Sequence, residues 1–395
     1  MNDIGDVKGK HILLLQGPIG SFFKRLDSQF RAKGARTFRV GLNAGDEFFS
    51  YVDNYTGYYG KEEAWYGFIE EYLQKNKIDK VFLFGDCRFY QSILVQVSEK
   101  LGLDIFVFEE GYIRPNYITM ERYGVNNYSH IVRNKSFYDF IEPVKLDRVK
   151  EVNSSALKVW GSVIIYYFIA NLYTYKYKNY KHHRDFSAIK EFFIGLRSLR
   201  RKFLYKIKDR KYLDLIKNKF SKKYFFVPLQ THNDFQVLQH SSYASIEKFI
   251  VEVLESFQRY ANKEHILMFK HHPLDRGRKN YTKFICEYSK KLGIEKRVMV
   301  FHDLHLPTCL KNARGTITIN STVGLSSLYH KTPTITLGNA IYDIAGLTNK
   351  DKNLKEFWSD SEEPNTELFH NFRHYLIKTT QLNGSFYGCM PDKLK

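Results

Sequence analysis

Residues 105–115 read Ile-Phe-Val-Phe-Glu-Glu-Gly-Tyr-Ile-Arg-Pro, an apolar run that empties into two carboxylates, a glycine and an arginine. A short apolar run bounded by a turn signal is what a strand buried on both faces requires. Its polar residues then fall at the strand's carboxyl end, where open α/β sheets hold ligands. The same pattern recurs on either side. Strands are predicted at 11–16, 37–40, 80–85 and 105–109, separated by amphipathic helices at 22–33, 62–75 and 90–101. In the second half, strands at 224–229, 266–270, 298–301, 315–319 and 334–337 alternate with helices at 245–260, 281–292 and 323–329. Strand and helix alternating in this way predict an α/β fold with two Rossmann-like domains. Residues 1–150 would form one, 224–348 the other, with a basic helical insertion at 151–223 and a helical tail at 349–395.

A chain of 395 residues suits two domains, and 43% hydrophobic with 26% charged residues is globular composition. Cys87, Cys286, Cys309 and Cys389 are far apart and have neither CxxC nor Cys/His spacing, so no disulfide frame or zinc site is expected. The N-terminus carries acidic residues before a short apolar run and lacks the form of a signal peptide; a cytoplasmic protein is expected. The net charge of +19 implies an anionic partner. Much of it lies in one place: residues 151–223 hold 18 Lys/Arg against 5 Asp/Glu, interleaved with Tyr, Phe, Leu and Ile. Within that segment 159–175 is free of charge for 17 residues, shorter than the roughly 20 apolar residues of a membrane span. It reads as an interfacial helix or as a helix packed on the domains. The basic stretch has no helix-turn-helix, RRM or zinc-finger pattern, and no nucleic-acid partner is expected.

Five polar loops follow predicted strands. The first, Gln16-Gly17-Pro18-Ile19-Gly20, is a Gly-rich turn without a GxGxxG or Walker A pattern; a sugar loop and a simple tight turn both fit it. In the second, the adjacent acids Glu109 and Glu110 would repel in a desolvated cleft, so that one holds a proton near neutral pH and serves as acid or base, although a helix-capping or surface role also fits them; Arg114 beside them can clamp a carboxylate or phosphate. The third, Gln230 to Asp234, supplies a carboxylate, which an Asx turn or helix cap would also explain. The fourth gathers Lys270, His271, His272, Pro273 and Arg276, suited to the phosphate of a nucleotide sugar; adjacent histidines diverge on a strand and make poor joint metal ligands. The fifth, Asn320-Ser321-Thr322-Val323-Gly324, enters a helix with hydroxyls and free N–H groups able to hold an anion, although capping alone would account for Ser321. Five loops at strand ends over two halves match the layout of a GT-B-like glycosyltransferase, with donor on the second domain, acceptor on the first and a cleft between. No DxD-like motif stands beside a strand, and metal-independent transfer without a cofactor is the simpler expectation.

The blocks LQGPIGSFF, FEEGYIRPNYITMERYGVN, VPLQTHNDFQ, FKHHPLDRG and TINSTVGLSSLYHKTPTITLGNAIYDIAGLT resemble, in this order, the capsule polysaccharide proteins of the KpsS/LipA type and the transferase modules of KpsC. The resemblance covers about residues 10–130 and 224–348. It implies a retaining β-Kdo transferase that uses CMP-Kdo as donor and a (lyso)phosphatidylglycerol-type lipid as acceptor. It further implies that Asp234 is the nucleophile and that Glu109 or Glu110 is the acid/base. His272, with Pro273, would contact the donor phosphate, and Asn320, Ser321 and Thr322 would bind CMP. Gln230, Lys270, His271, Arg276 and Gly324 would complete the donor site; Gln16, Gly17, Gly20 and Arg114 would face the acceptor. A single module favours the KpsS-like role, peripheral on the inner membrane beside capsule synthesis and export proteins. The alternatives are another CMP-sugar or nucleotide-sugar enzyme of this fold and a noncatalytic scaffold of the export machinery.

Overall fold

The computed structural model describes residues 2–50, 52–141, 148–152, 156–181, 188–234, 237 and 241–391. In chain order the elements are β1 (His11–Leu14), α1 (Phe22–Ala32), β2 (Arg36–Gly41), α2 (Ala44–Ser50), β3 (Tyr55–Gly57), α3 (Trp65–Lys75), β4 (Lys80–Phe84), α4 (Phe89–Lys100), β5 (Asp104–Glu110) and β6 (Tyr117–Arg122). Helices α5 (Lys135–Asp139), α6 (Ala156–Leu172), α7 (Ala188–Arg210) and α8 (Tyr212–Lys217) lead to β7 (Tyr224–Pro228), α9 (Ile246–Tyr260), β8 (Ile266–Lys270), α10 (Thr282–Lys291) and β9 (Val298–Phe301). Then come α11 (Leu306–Asn312), β10 (Gly315–Thr318), α12 (Val323–Tyr329), β11 (Thr334–Thr336), α13 (Leu354–Phe357), α14 (Thr366–Thr380) and β12 (Gln381–Asn383).

The chain forms two compact units. One comprises Met1–His130, Lys145–Lys190 and Tyr375–Lys395; the other comprises Ile131–Val144 and Glu191–His374. These bounds differ from the expected ones in two ways. The basic segment is shared between the units, and the C-terminal residues return to the first unit to add β12 to its sheet.

The first unit holds a seven-stranded sheet in the order β12-β6-β5-β4-β1-β2-β3, parallel from β5 to β3, with β6 and β12 antiparallel at one edge. The second holds a five-stranded parallel sheet in the order β11-β10-β7-β8-β9. Both are Rossmann-like, as the alternating pattern predicts. In each sheet the strand order reverses once, between β1 and β4 and between β7 and β10, and these switch points open the crevices where such sheets hold ligands.

Alternate residues of β7 feed opposite layers. Phe225 and Val227 pack with Ile250, Phe257 and Trp358, while Tyr224 and Phe226 pack with Ile216, Cys309 and Leu310. Burial on both faces is why the strand reads as an unbroken apolar run. Helix α9 begins where the Ser245 hydroxyl accepts from the Lys248 N–H, and it buries Ile246, Phe249, Ile250, Val253, Leu254 and Phe257 along one stripe. Each such side chain contributes about 1.5–3 kcal/mol of burial. The uncharged run becomes α6, which packs on α2: Gly45 meets the Tyr166 ring so closely that a Cβ there would lie 2.7 Å from it. Its outward residues Trp160, Ile164, Phe168 and Leu172 are exposed. Among the described residues no helix is long and apolar enough to cross a membrane.

Candidate active site

In the second unit, Gln230 stands just past β7 and Asn320 just past β10, on the two sides of the switch point. The buried Gln230 amide Nε2 donates to Asn320 Oδ1 at 3.0 Å and to Asp234 Oδ2 at 3.2 Å, and its Oε1 accepts the Asn320 backbone N–H at 3.2 Å. One side chain therefore ties the Asp234 carboxylate to the β10 loop. Beside it a pair that the sequence does not single out, His232 and Asp275, joins the loop after β7 to the loop after β8. His232 Nδ1 lies 2.6 Å from Asp275 Oδ1, and the His232 backbone N–H donates to Oδ2 at 2.9 Å. Burial raises the Asp275 carboxyl, and the His232 contacts oppose that rise.

The histidines of the β8 loop divide their roles. His271 is buried and its Nε2 accepts the Tyr281 N–H at 2.8 Å, so the ring is neutral with its proton on Nδ1. Burial holds its pKa down to about 4, and the ring stacks on His302 with centroids 4.1 Å apart. That geometry gives His271 a packing role. His272 is half-buried; its Nδ1 accepts the Leu274 N–H at 3.2 Å and caps the 3-10 turn Pro273–Asp275, so any ligand contact it makes is through Nε2. Lys270 is buried at the end of β8, and burial lowers its pKa. Arg276 gives Nη2 to Asp303 Oδ1 at 2.6 Å.

At the β10 loop the Ser321 hydroxyl accepts the Val323 N–H at 3.2 Å, a local capping bond, while Thr322 at the start of α12 makes no side-chain cap. Gly324 has a packing reason: a Cβ there would lie 2.0 Å from the Tyr342 hydroxyl, which donates to the Ser321 carbonyl at 2.5 Å.

In the first unit, Glu109 lies half-buried at the end of β5, close to Gly85 at the end of β4, whose φ is +68. Burial pushes the Glu109 carboxyl up to about 7; the Glu110 N–H, donated to Oε1 at 2.9 Å, and the charge of Arg88 oppose this, and the charges of Glu110 and Asp86 add to it. Desolvation, more than repulsion within the pair, is thus what raises Glu109, and Glu110 is exposed. A second carboxyl raised to about 7 by burial is Glu121 on β6, which accepts from the Tyr112 hydroxyl at 2.8 Å and the Ser129 hydroxyl at 2.5 Å. Arg114 turns back, its Nε donating to the Gly111 carbonyl at 3.0 Å.

Gln16 points into a buried network. It donates to Asp46 Oδ2 at 2.9 Å and accepts from Gln91 Nε2 at 3.1 Å, while Tyr166 of α6 donates to Asp46 Oδ1 at 2.7 Å. Gly17 is required because a Cβ would lie 2.7 Å from the Phe23 ring, and Gly20 turns with φ of +106. Packing and the turn thus give the two glycines a structural reason, and Gln16 has one in the buried network. Among the described residues no group of three or more His, Cys, Asp and Glu could hold a metal.

Motifs at the strand ends of two Rossmann-like units define a capsule polysaccharide biosynthesis protein, and the model of that family matches residues 79–387. The chain belongs to this family. It is 37% identical over 381 residues to the capsule polysaccharide export protein KpsS of Escherichia coli, covering 96% of this chain and 98% of KpsS. It is 36% identical over 395 residues to the capsule polysaccharide modification protein LipB of Neisseria meningitidis serogroup B, covering 96% and 92%. The Neisseria relative thus carries the name LipB where the resemblance named LipA. Among solved structures, the KpsC β-Kdo 2,7 transferase of Thermosulfurimonas dismutans is 13% identical with a TM-score of 0.41, over 92% of this chain and 89% of that one.

Proposed function

We propose that the protein is a retaining β-Kdo glycosyltransferase that moves Kdo from CMP-Kdo to a (lyso)phosphatidylglycerol-type lipid and so starts the linker of a capsular polysaccharide. What supports this most is the Gln230 bridge, which fixes the Asp234 carboxylate beside Asn320 at the ligand crevice of the second sheet. In the first step an Asp234 oxygen attacks the anomeric carbon of Kdo, the bond to the CMP phosphate oxygen breaks, and CMP leaves with the electron pair. A phosphate leaving group needs no acid. His272 Nε2, Lys270 and the N–H groups of the Asn320 loop offset its charge, with no metal called for. In the second step the acceptor hydroxyl attacks the same carbon, displaces Asp234 and loses its proton to a base, and two inversions give retention. Glu109 rather than Glu110 takes that base role, because a carboxyl with a pKa of about 7 can accept a proton and release it at neutral pH.

The exposed apolar residues of α6 and the cationic character of the 151–223 segment fit a peripheral protein on the anionic inner membrane surface, near the capsule export machinery. Incubating the protein with CMP-Kdo and a lysophosphatidylglycerol analogue, then weighing products by mass spectrometry, tests the reading. A mass gain of one or more Kdo units on the lipid supports it. CMP-Kdo left intact, with turnover of another nucleotide sugar, would move the protein to a different donor; no turnover of any donor would leave the export role in the name of its E. coli relative.

A further inference from the structure

Helix α7 has two working faces. Along one, Glu191 pairs with Arg278, Ile194 and Ser198 crowd Gly277, Arg201 Nη1 donates to the Arg276 carbonyl at 2.9 Å, and the Tyr205 ring stacks on His302 at 3.9 Å. Asp209 ends the stripe, accepting the N–H groups of His302 and Asp303 at 2.8 and 2.9 Å. Positions 191, 194, 198, 201, 205 and 209 recur at helical spacing, so a single stripe carries the loops after β8 and β9. The outward side is the reverse of an ordinary solvated face. Phe192, Phe193, Leu199, Phe203 and Ile207 are each 57–74% exposed, and arginines stand between them. Between the two faces runs a groove lined by Phe193, Leu196 and Leu204 and by Arg197, Arg200 and Arg201, ending at Tyr205. Among the described residues none of the three guanidiniums pairs with a carboxylate.

We propose that this groove is a binding site for the phosphodiester headgroup of an anionic phospholipid in a bilayer, with Arg197 and Arg200 on the phosphate and Phe193, Leu196 and Leu204 against the acyl chains. The charge asks for an anion and the guanidinium fork suits a phosphate. The exposed Phe, Leu and Ile ask for hydrocarbon beside that phosphate, which a nucleic-acid backbone does not supply. Arg201 and Tyr205 touch both the groove and the β8 and β9 loops, so a lipid held here lies next to the loops assigned above to the donor. The proposal rests on the membrane-surface reading of this segment and narrows it from a diffuse basic region to one site.

The test sediments the full-length protein with phosphatidylglycerol vesicles and compares Arg197→Gln/Arg200→Gln with Lys217→Gln/Lys219→Gln, which removes the same charge at exposed positions outside the groove. About 1 kcal/mol per contact predicts a roughly 30-fold weaker binding for the arginine pair and a much smaller change for the lysine pair. CMP affinity measured by calorimetry should stay at the wild-type value in both, which excludes misfolding of the second unit. Equal losses from the two pairs would reduce the site to diffuse attraction and overturn it. So would wild-type binding to neutral phosphatidylcholine vesicles, displacement from vesicles by free glycerol phosphate, or tighter binding to duplex RNA than to vesicles. Vesicle binding requires no donor, so a failed Kdo-transfer assay with this pattern intact would count against the transferase reading alone.

Discussion

Gln230 and Asn320 exchange two hydrogen bonds across the switch point of the five-stranded sheet, one from Gln230 Nε2 to Asn320 Oδ1 and one from the Asn320 backbone N–H to Gln230 Oε1. The two residues follow neighbouring strands that are distant in sequence, so the contact fixes the spacing of the loops that border the crevice. The second proton on Gln230 Nε2 goes to Asp234, so the same amide also orients that carboxylate.

Asp234→Ala is expected to abolish Kdo transfer while leaving the unfolding midpoint near that of wild type, because the side chain is half-buried at a loop and outside the core. Intact-mass spectrometry on protein trapped with CMP-Kdo should find one Kdo adduct in wild type and none in the variant. Turnover at the wild-type rate would remove Asp234 from the chemistry.

Gln230→Leu keeps the side-chain size and removes all three hydrogen bonds. Asn320 loses its two bonds with Gln230, each contributing about 0.5–1.5 kcal/mol. We expect a lower unfolding midpoint and a fall in kcat larger than any rise in KM, read from steady-state kinetics. A variant whose midpoint drops but whose kcat is unchanged would confine Gln230 to stability.

His272→Ala and Ser321→Ala should weaken CMP binding by about 1–3 kcal/mol each, measured by calorimetry. Both residues also cap local backbone, so the rescue variants matter: His272→Asn and Ser321→Thr retain an acceptor for the Leu274 and Val323 N–H groups. If Ser321→Thr keeps CMP affinity as well as stability, the retained hydroxyl reaches the nucleotide; stability kept with affinity lost would give the hydroxyl a capping role alone. Unchanged affinity in His272→Ala would move the phosphate elsewhere.

Much of the fold is legible in the sequence because the sheets are parallel and covered on both faces, which leaves strands such as Tyr224–Pro228 as uninterrupted apolar runs. β12 escapes such a reading: it is three residues long, begins with Gln381, and pairs with β6 more than 250 positions earlier, so no local pattern announces it. The site divides in the same way. Glu109, Gln230 and Asn320 are legible because they follow strands. Glu121, Asp46 and Asp275 lie among the residues read but stand out only once Ser129, Tyr166 and His232 are seen to approach them. Conversely, the bond from the Tyr281 N–H to His271 Nε2 is a structural use of that histidine that nothing in the sequence of the cluster announces.

Glu121 gives a pH prediction with a definite sign. Burial raises its carboxyl from the ordinary 4.5 to about 7, so the fold favours the protonated form. The stabilisation is complete below the unfolded pKa and is lost as pH climbs through about 7, a fall on the order of 3 kcal/mol for a fully buried group. Glu109, raised in the same direction, adds to the decline. Thermal unfolding midpoints taken between about pH 5 and pH 8 should therefore drop for wild type and drop less for Glu121→Gln, whose side chain stays neutral throughout. Parallel curves would mean that Glu121 ionises in the folded protein at its ordinary pH.

The anchoring of α6 can be tested without touching its exposed face. Tyr166 donates to Asp46 Oδ1, whereas the Leu42 N–H, Gln16 and Asn43 all donate to Oδ2. Tyr166→Phe therefore strands one oxygen of a buried carboxylate, at a cost of about 1–3 kcal/mol, and raises further a pKa that burial has already raised. Gly45→Ala attacks the same contact sterically, because its Cβ would sit 2.7 Å from the Tyr166 ring and must push α6 away from α2. Both variants should lower the unfolding midpoint and increase protease cleavage within 156–181, with the Gly45 variant the more severe. If α6 is held to the first unit chiefly through this network, combining the two should cost less than the sum of the single effects, since each loosens the same contact. A fully additive double variant would mean that the hydroxyl and the close approach act independently, and that apolar packing elsewhere along α6 keeps the helix in place.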